Sequence, residues 1–183
     1  MVCVRTLLTT LLLRVYPTKD IYIIPYIFLF VQNILFVTCY TELHMNVNTI
    51  KILAIVTMVT DHIGLFFFPH IEILRLIGRI AFPLFAWLIA NGAHHTHNIN
   101  SYLKRLLLLA VVSQLPFTLA NQFVGAPAFY LNVVFTLFFG LLGIALIKRQ
   151  LHPLIATIAI LAIGLLANLL NTDYGAFGVF SIV

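Results

Sequence analysis

The sequence is poor in charge. Only 8% of its 183 residues are Asp, Glu, Lys or Arg, and the acidic ones number five. A soluble domain usually carries about 25% charged residues, because its surface faces water. The shortage therefore excludes an ordinary soluble globular protein. Intrinsic disorder is excluded as well, since disordered chains have few apolar residues and 62% of this chain is hydrophobic.

Cysteine is equally scarce. Cys3 and Cys39 are the two cysteines of the chain, which excludes a disulfide framework and a cysteine-based metal site. His94, His95 and His97 form a histidine-rich stretch without a neighbouring carboxylate or cysteine, so we expect no metal. The ten Lys and Arg residues are scattered singly or in pairs, and we therefore expect no nucleic-acid partner.

Long apolar runs fill most of the chain. Runs near twenty residues are typical of membrane-spanning helices, whereas barrel strands alternate over about ten residues. The sequence therefore predicts an all-α, polytopic transmembrane helical bundle of about five to six spans in a lipid bilayer. The last run stops after about half a span, so we expect a C-terminally truncated chain. The runs cover residues 21–40, 49–68, 72–91, 102–121, 129–147 and 151–170, and another begins near Tyr174.

The basic residues predict an orientation. Lys104 and Arg105 lie in one connection, Lys148 and Arg149 lie in another, and the alternate connections lack Lys and Arg. The positive-inside rule therefore places these basic loops in the cytoplasm.

The N-terminal run does not fit that orientation. Arg5, Arg14 and Lys19 precede it, although it would have to begin outside. We therefore interpret residues 1–44 as an N-terminal extension of doubtful status. Residues 45–183 then form the transmembrane domain, with Met45 as an alternative start.

Four strongly polar side chains lie inside apolar runs: Asp61, His62, Arg75 and Arg79. Each charge costs about 2.5–3.5 kcal/mol at the bilayer centre, so these residues should face the bundle and pair. Arg75 and Arg79 are four residues apart and share one helix face. Asp61 and His62 point about 100° apart, so Asp61 is expected to pair with an arginine rather than orient His62. Pro83 predicts a kink just beyond Arg79.

Residue counting along the spans brings further polar groups to this depth. His62, Arg79 and Gln114 fall at one level, while Asn132, Asn171 and Asp173 lie nearer the outer surface. The sequence therefore predicts a polar pocket that tilts outward. Under a catalytic interpretation of this pocket, Gln114 and Asn132 bind substrate or an oxyanion with the arginines. Under the same interpretation, Asn171, Asp173 and Tyr174 contact an acceptor on the outer side.

Three interpretations of this pocket remain open at this point. The polar residues could form an ion-pair cluster that only locks helices together. They could instead line a transport pathway. They could also catalyse a reaction, with the histidine as a general base near neutral pH and the arginines holding an anionic donor or an oxyanion.

Five segments resemble the TraX family of bacterial membrane proteins, in the right order. The resemblance covers about residues 45–183, and residues 1–44 have no counterpart. The segments are KILAIVTMVTDHIG at 51–64, LRLIGRIAFPLF at 74–85, YLKRLLLLAVVSQLPF at 102–117, LNVVFTLFFG at 131–140 and DYGAFG at 173–178.

The resemblance implies N-acetylation of a pilin N-terminus in pilus biogenesis, and relatives are attached to fimbrial assembly. It also implies a multi-pass protein of the bacterial inner membrane. The family is similar to membrane acyltransferases that use acetyl-CoA. Carried onto this chain, His62 would be the general base and Asp61 would support the site. Arg75 and Arg79 would hold the donor or oxyanion, and the partner would be a pilin or fimbrial subunit. The alternative is a non-enzymatic protein for fimbrial assembly or small-solute transport.

Overall fold

The computed structural model describes residues 46–68, 70–123 and 130–183, and these ranges are almost entirely helical. The expected all-α helical bundle is confirmed. The apolar run at 21–40 and the proposed boundary after residue 44 lie outside the described residues. The helices are α1 (Val47–Phe67), α2 (Glu72–Gly78), α3 (Ala81–His95), α4 (Ile99–Phe123), α5 (Val133–Lys148), α6 (Pro153–Leu169) and α7 (Gly175–Ile182).

Three helical stretches are long and apolar enough to cross a membrane: Val47–Phe67, Ile73–His95 and Ile99–Phe123. Val133–Lys148 and Pro153–Leu169 are shorter apolar helices. A helix suits these segments because it satisfies every internal backbone group without water, which the bilayer core cannot supply. Large aliphatic side chains cover the outer faces of the helices, which suits contact with lipid. The chain is therefore a membrane protein.

The second long stretch is broken between α2 and α3. Arg79 and Ile80 form a turn between the two helices. Pro83, the third residue of α3, has no N–H to donate to the carbonyl of Arg79, so the helical ladder is interrupted there. The predicted kink beyond Arg79 is confirmed.

Helix α1 runs antiparallel to both halves of this broken helix. Its first turns pack Ile50 and Ala54 against Leu84, and its last turns pack against α2. Helices α5, α6 and α7 form a second group, in which α7 packs on both others. A Cβ at Gly140 of α5 would stand 2.7 Å from the Cβ of Ile182, so glycine permits the close approach of α7.

The two ends of the bundle differ in character. At one end, the Nζ of Lys148 donates a hydrogen bond to the carbonyl of Ala93, which joins the C-terminal ends of α5 and α3. We call this the basic end, because Lys104, Arg105, Lys148 and Arg149 are all exposed around it. At the opposite end, a short parallel bridge joins Leu131 to Thr172, just before α5 and α7 begin.

Candidate functional site

An ion pair joins α1 to α2 near the opposite end. The Nη1 of Arg75 donates to the Oδ2 of Asp61 at 2.9 Å, and both side chains are partly buried. Asp61 lies directly against Gly78, where any Cβ would overlap its side chain. Gly64 accommodates the Cβ of Leu74 one turn further along. The expectation that Asp61 pairs with an arginine of the next helix is confirmed.

His62 points away from this pair and is exposed. Its Nδ1 lies 2.8 Å from the carbonyl oxygen of Met58 in the preceding turn, and its ring lies 6.3 Å from that of Phe66. A carbonyl can only accept, so Nδ1 carries the proton in the neutral ring. The Nε2 atom then keeps its lone pair and is the atom free to take a proton.

Arg79 lies near the connection between α6 and α7. Its positive charge acts on the hydroxyl of Tyr174. The Tyr174 ring stacks on Phe82, with centroids 3.9 Å apart and planes 12° apart. The amide of Arg79 still bonds to the carbonyl of Arg75 at 3.1 Å, so both arginines leave the same helical turn. The break at Arg79 thus directs one arginine to Asp61 and places the other near Tyr174.

Asp173 precedes Tyr174 and lies within electrostatic range of both arginines, Asp61 and His62. Desolvation by surrounding protein atoms raises the pKa of its carboxyl, and the positive charge of Arg79 acts in the opposite direction. The residue nevertheless keeps an exposed surface. The carboxyl group is therefore accessible from outside the protein.

These residues form one group, which we call the polar cluster. It combines an accessible imidazole, two guanidiniums, a phenol and two carboxyl groups at one end of the membrane protein. Such a set can bind an anion, accept a proton and stabilise developing negative charge. Its members are Asp61, His62, Arg75, Arg79, Asp173 and Tyr174.

Gln114 and Asn132 form a separate network that ties α4 to the start of α5. The Nε2 of Gln114 donates to the carbonyl of Tyr130 at 2.8 Å, and its Oε1 accepts from the backbone N–H of Asn132 at 3.0 Å. The Nδ2 of Asn132 donates to Ala110 and Ser113, while its Oδ1 caps α5 through the N–H of Val134. All polar side-chain atoms of both residues are engaged, so this geometry gives no support to the predicted substrate-binding role.

Asn171 likewise has a backbone role. It adopts a positive φ of 49° in the turn that follows α6, a conformation that asparagine tolerates well. Its carbonyl accepts the N–H of Leu131 at 3.1 Å, which holds the α6–α7 connection beside the start of α5. Its predicted contact with an acceptor stays a prediction.

Sequence reasoning missed two residues that position the cluster. Gly78 leaves the space that Asp61 occupies, and Phe82 supports the ring of Tyr174. A glycine between two arginines on an apolar helix is a signal of close helix approach that could have identified Gly78. Phe82 and Tyr174 are far apart in the sequence, so no local sequence pattern predicts their contact.

Residues 46–183 match the model of the TraX protein family. The chain belongs to the TraX family. A probable fimbrial assembly protein, FimC of serogroup H1 from Dichelobacter nodosus, is 33% identical over 142 residues, covering 71% of this chain. Protein TraX of Escherichia coli is 38% identical over 90 residues, covering 48% of this chain.

This TraX family member spans only part of those relatives. The matched region covers 57% of the length of the fimbrial assembly protein and 34% of the length of the Escherichia coli protein. No solved structure is significantly similar. The polar cluster lies within the residues that match the family model.

Proposed function

We propose that this protein is a membrane-embedded acetyltransferase of pilus or fimbria biogenesis. It would transfer acetyl from acetyl-CoA to the N-terminal amine of a pilin or fimbrial subunit. The observation that carries the proposal is the position of His62, which is exposed next to the Asp61–Arg75 pair and whose Nδ1 lies 2.8 Å from the carbonyl oxygen of Met58. The names of the two relatives, a fimbrial assembly protein and TraX, support the biological setting.

His62 is the general base of the proposed reaction. An amine attacking a thioester must lose a proton, and an imidazole takes protons efficiently near neutral pH. The bond from Nδ1 to the carbonyl of Met58 fixes the tautomer, so Nε2 is the accepting atom. Asp61 supports the site indirectly, because its carboxylate is committed to Arg75.

Arg79 and Tyr174 are the proposed oxyanion donors. The O–H of the Tyr174 phenol can donate to a developing oxyanion. The positive charge of Arg79 acts on the same hydroxyl and would add to that stabilisation. Arg75 is less suited to this task than the sequence pattern indicates, since Asp61 neutralises it at 2.9 Å.

The proposed step is a simple acyl transfer. The amine nitrogen of the acceptor attacks the carbonyl carbon of the acetyl thioester, and a C–N bond forms while the negative charge develops on the carbonyl oxygen. The C–S bond then breaks and coenzyme A leaves as a thiolate. His62 passes the amine proton to that thiolate, so the products are an acetylated amine and free coenzyme A.

The proposed location is the bacterial inner membrane, with several spans and the basic end in the cytoplasm. Single cysteines test this in a chain whose Cys3 and Cys39 are replaced by serine. His97→Cys lies at the basic end and Phe123→Cys at the opposite end, and both positions are exposed. In spheroplasts a membrane-impermeant maleimide should label only Phe123→Cys. Labelling of His97→Cys alone would invert the proposed orientation.

The decisive experiment measures the mass of the acceptor N-terminus in cells carrying His62→Ala. We expect acetylation to fall about 100-fold or more, the usual effect of losing a general base. His95→Ala is the matched control, because His95 is an exposed helical histidine whose Nδ1 also lies near a carbonyl four residues back, at 2.9 Å. Unchanged acetylation in a stably inserted His62→Ala protein would refute the base role.

A non-enzymatic assembly protein is the second candidate. The Asp61–Arg75 pair, seated against Gly78, and the bonded network of Gln114 and Asn132 favour it, because both hold helices together. Under this alternative, His62→Ala leaves both the acceptor mass and the number of assembled fimbriae unchanged. Gly78→Leu, which separates the helices, would then abolish assembly without any change in acetylation.

A further inference from the structure

Positive and negative charge are separated between the two ends of the bundle. The cations of the basic end are one pair near the start of α4, Lys104 and Arg105, and one pair at the end of α5, Lys148 and Arg149. Within residues 46–68, 70–123 and 130–183, every acidic residue lies on an element at or near the opposite end: Asp61, Glu72 and Asp173. The described part of the chain therefore leaves the positive charge of the basic end without a compensating carboxylate.

The helix ends that carry the two basic pairs lie side by side. Leu103 of α4 and Ile144 of α5 pack on the same buried cluster. Each precedes a basic pair, by one residue in α4 and by one turn in α5. The hydrogen bond from Lys148 to the carbonyl of Ala93 holds its ammonium group in place and leaves its charge intact, because the acceptor is neutral. The two basic pairs therefore belong to one surface.

Helix α4 carries an apolar stripe that starts at its basic pair. Leu106 and Ala110 are buried on the face that packs on the bundle. The opposite face begins at an exposed lysine and continues at spacings of four, three and four residues, which place side chains on one side of a helix. These residues, which we call the α4 stripe, are Lys104, Leu108, Val111 and Leu115. The three apolar side chains are 65%, 56% and 69% exposed, so no described helix covers them.

The α4 stripe has the length of one half of a lipid bilayer. From Lys104 to Leu115 the helix rises about 16 Å, at about 1.5 Å per residue. The hydrocarbon core of a bilayer is about 30 Å thick, so one leaflet contributes about 15 Å. With the basic end at the membrane surface, Lys104 lies at the level of the lipid phosphate groups and Leu115 lies near the middle of the bilayer.

We propose that the α4 stripe and the adjacent Arg105 form a binding site for one anionic phospholipid. Lys104 and Arg105 bind its phosphate group with charge-assisted hydrogen bonds, and an acyl chain lies along the three apolar residues of the stripe. The site prefers a lipid of net negative charge, because a choline or ethanolamine headgroup brings its own cationic group beside the two basic residues. The proposal does not depend on acetyl transfer, since the polar cluster lies at the other end of the bundle.

Lys51 of α1 offers a matched comparison within the same chain. It is exposed in the second turn of its helix, as Lys104 is, and the exposed Ile55 follows it on the same face. Its neighbours in sequence, Ile50 and Ile52, are apolar, so Lys51 has no adjacent cation. A general attraction of anionic lipid to a basic protein acts on both lysines equally, whereas a site built from two cations favours Lys104.

The test compares lipid contact at two tryptophan reporters in the full chain, reconstituted in bilayers. Trp87, the one tryptophan of the chain, is replaced by phenylalanine. The reporter is either Leu108→Trp on the α4 stripe or Ile55→Trp beside Lys51. Phosphatidylglycerol and phosphatidylcholine with the same brominated acyl chains serve as quenchers. Each basic residue near the surface contributes a factor of about five. Phosphatidylglycerol should therefore be preferred about 25-fold at Leu108→Trp and about fivefold at Ile55→Trp.

Charge substitutions then identify the residues that hold the lipid. Lys104→Gln and Arg105→Gln should each reduce the preference at the Leu108→Trp reporter about fivefold. Lys51→Gln removes the same charge from α1 and should leave that preference unchanged. Equal preferences at the two reporters would overturn the proposal, because they show only a general attraction. A Leu108→Trp fluorescence that neither brominated lipid quenches would also overturn it, since protein, such as a second copy of the chain, would then cover the α4 stripe.

Discussion

Asp61 on α1 and Arg75 on α2 share a hydrogen-bonded ion pair of 2.9 Å across fourteen residues of sequence. Each charge compensates the other within the apolar helices. Removing one partner leaves the other charge unpaired, and this is expected to destabilise the protein.

Asp61→Asn and Arg75→Gln should each lower the free energy of unfolding by about 1.5–3 kcal/mol, the range for a hydrogen bond to a charged group. The double variant should lose less than the sum of the two, because the second substitution removes a group that is already unpaired. Unfolding in mixed detergent measures the cycle. Strictly additive losses would show that the two side chains act independently.

Gly78→Ala should force α1 and α2 apart, because a Cβ there would overlap the side chain of Asp61. Overpacking of this kind costs about 1–3 kcal/mol. Gly92→Ala is the control, since its Cβ would meet the hydroxyl of Tyr102 at 3.1 Å, a contact that a side chain can relax. Thermal unfolding should rank Gly78→Ala well below Gly92→Ala, and equal midpoints would contradict the close packing of Asp61 on Gly78.

Tyr174→Phe keeps the ring that stacks on Phe82 and removes only the hydroxyl, on which the charge of Arg79 acts. We expect unfolding to change little and the acetylation rate at saturating donor to fall about 100-fold, the cost of one oxyanion donor. Tyr102→Phe removes a hydroxyl near the basic end and should keep the wild-type rate. Full activity in Tyr174→Phe would leave the hydroxyl without a role in the reaction.

Asn132→Ala should destabilise the protein and spare the reaction. It removes the cap of α5 and the hydrogen bonds that the Asn132 side chain donates to Ala110 and Ser113, at a cost of about 1–2 kcal/mol. Asn132→Ser keeps a capping oxygen and should lose less stability. Turnover per folded molecule should stay at the wild-type value in both. A fall in turnover without a fall in stability would restore the substrate-binding role predicted from sequence.

Much of the cluster could be predicted from sequence because local helix geometry determines it. Asp61 and His62 are adjacent and must diverge, so only one of them can face α2. Arg75 and Arg79 are one turn apart and must lie on the same side. An unpaired charge in lipid is energetically unfavourable, so the charged residues are expected to pair. Asp61 pairs with Arg75 in the structure.

The rest depends on tertiary packing that no periodicity encodes. Gln114 falls at the depth of His62 by residue counting, yet depth does not say which way a side chain turns. The side-chain amide of Gln114 is hydrogen-bonded to the backbone of Tyr130 and Asn132. These residues lie beyond a connection whose path cannot be predicted from the sequence. The stacking of Tyr174 on Phe82, which places the start of α7 near Arg79, also depends on tertiary packing and cannot be predicted from the sequence.

The turn at Arg79 and Ile80 lies between two halves of a broken helix that pack on one continuous helix, α1. Ile50 and Ala54 of α1 pack against Leu84 of α3, whereas Asp61 bonds to Arg75 of α2. The break therefore does not free α2 from α3, because α1 fixes both. Any change in the angle at the turn must first disturb the packing of α1, so the direction of the Arg75 side chain is set by contacts on both sides of the break.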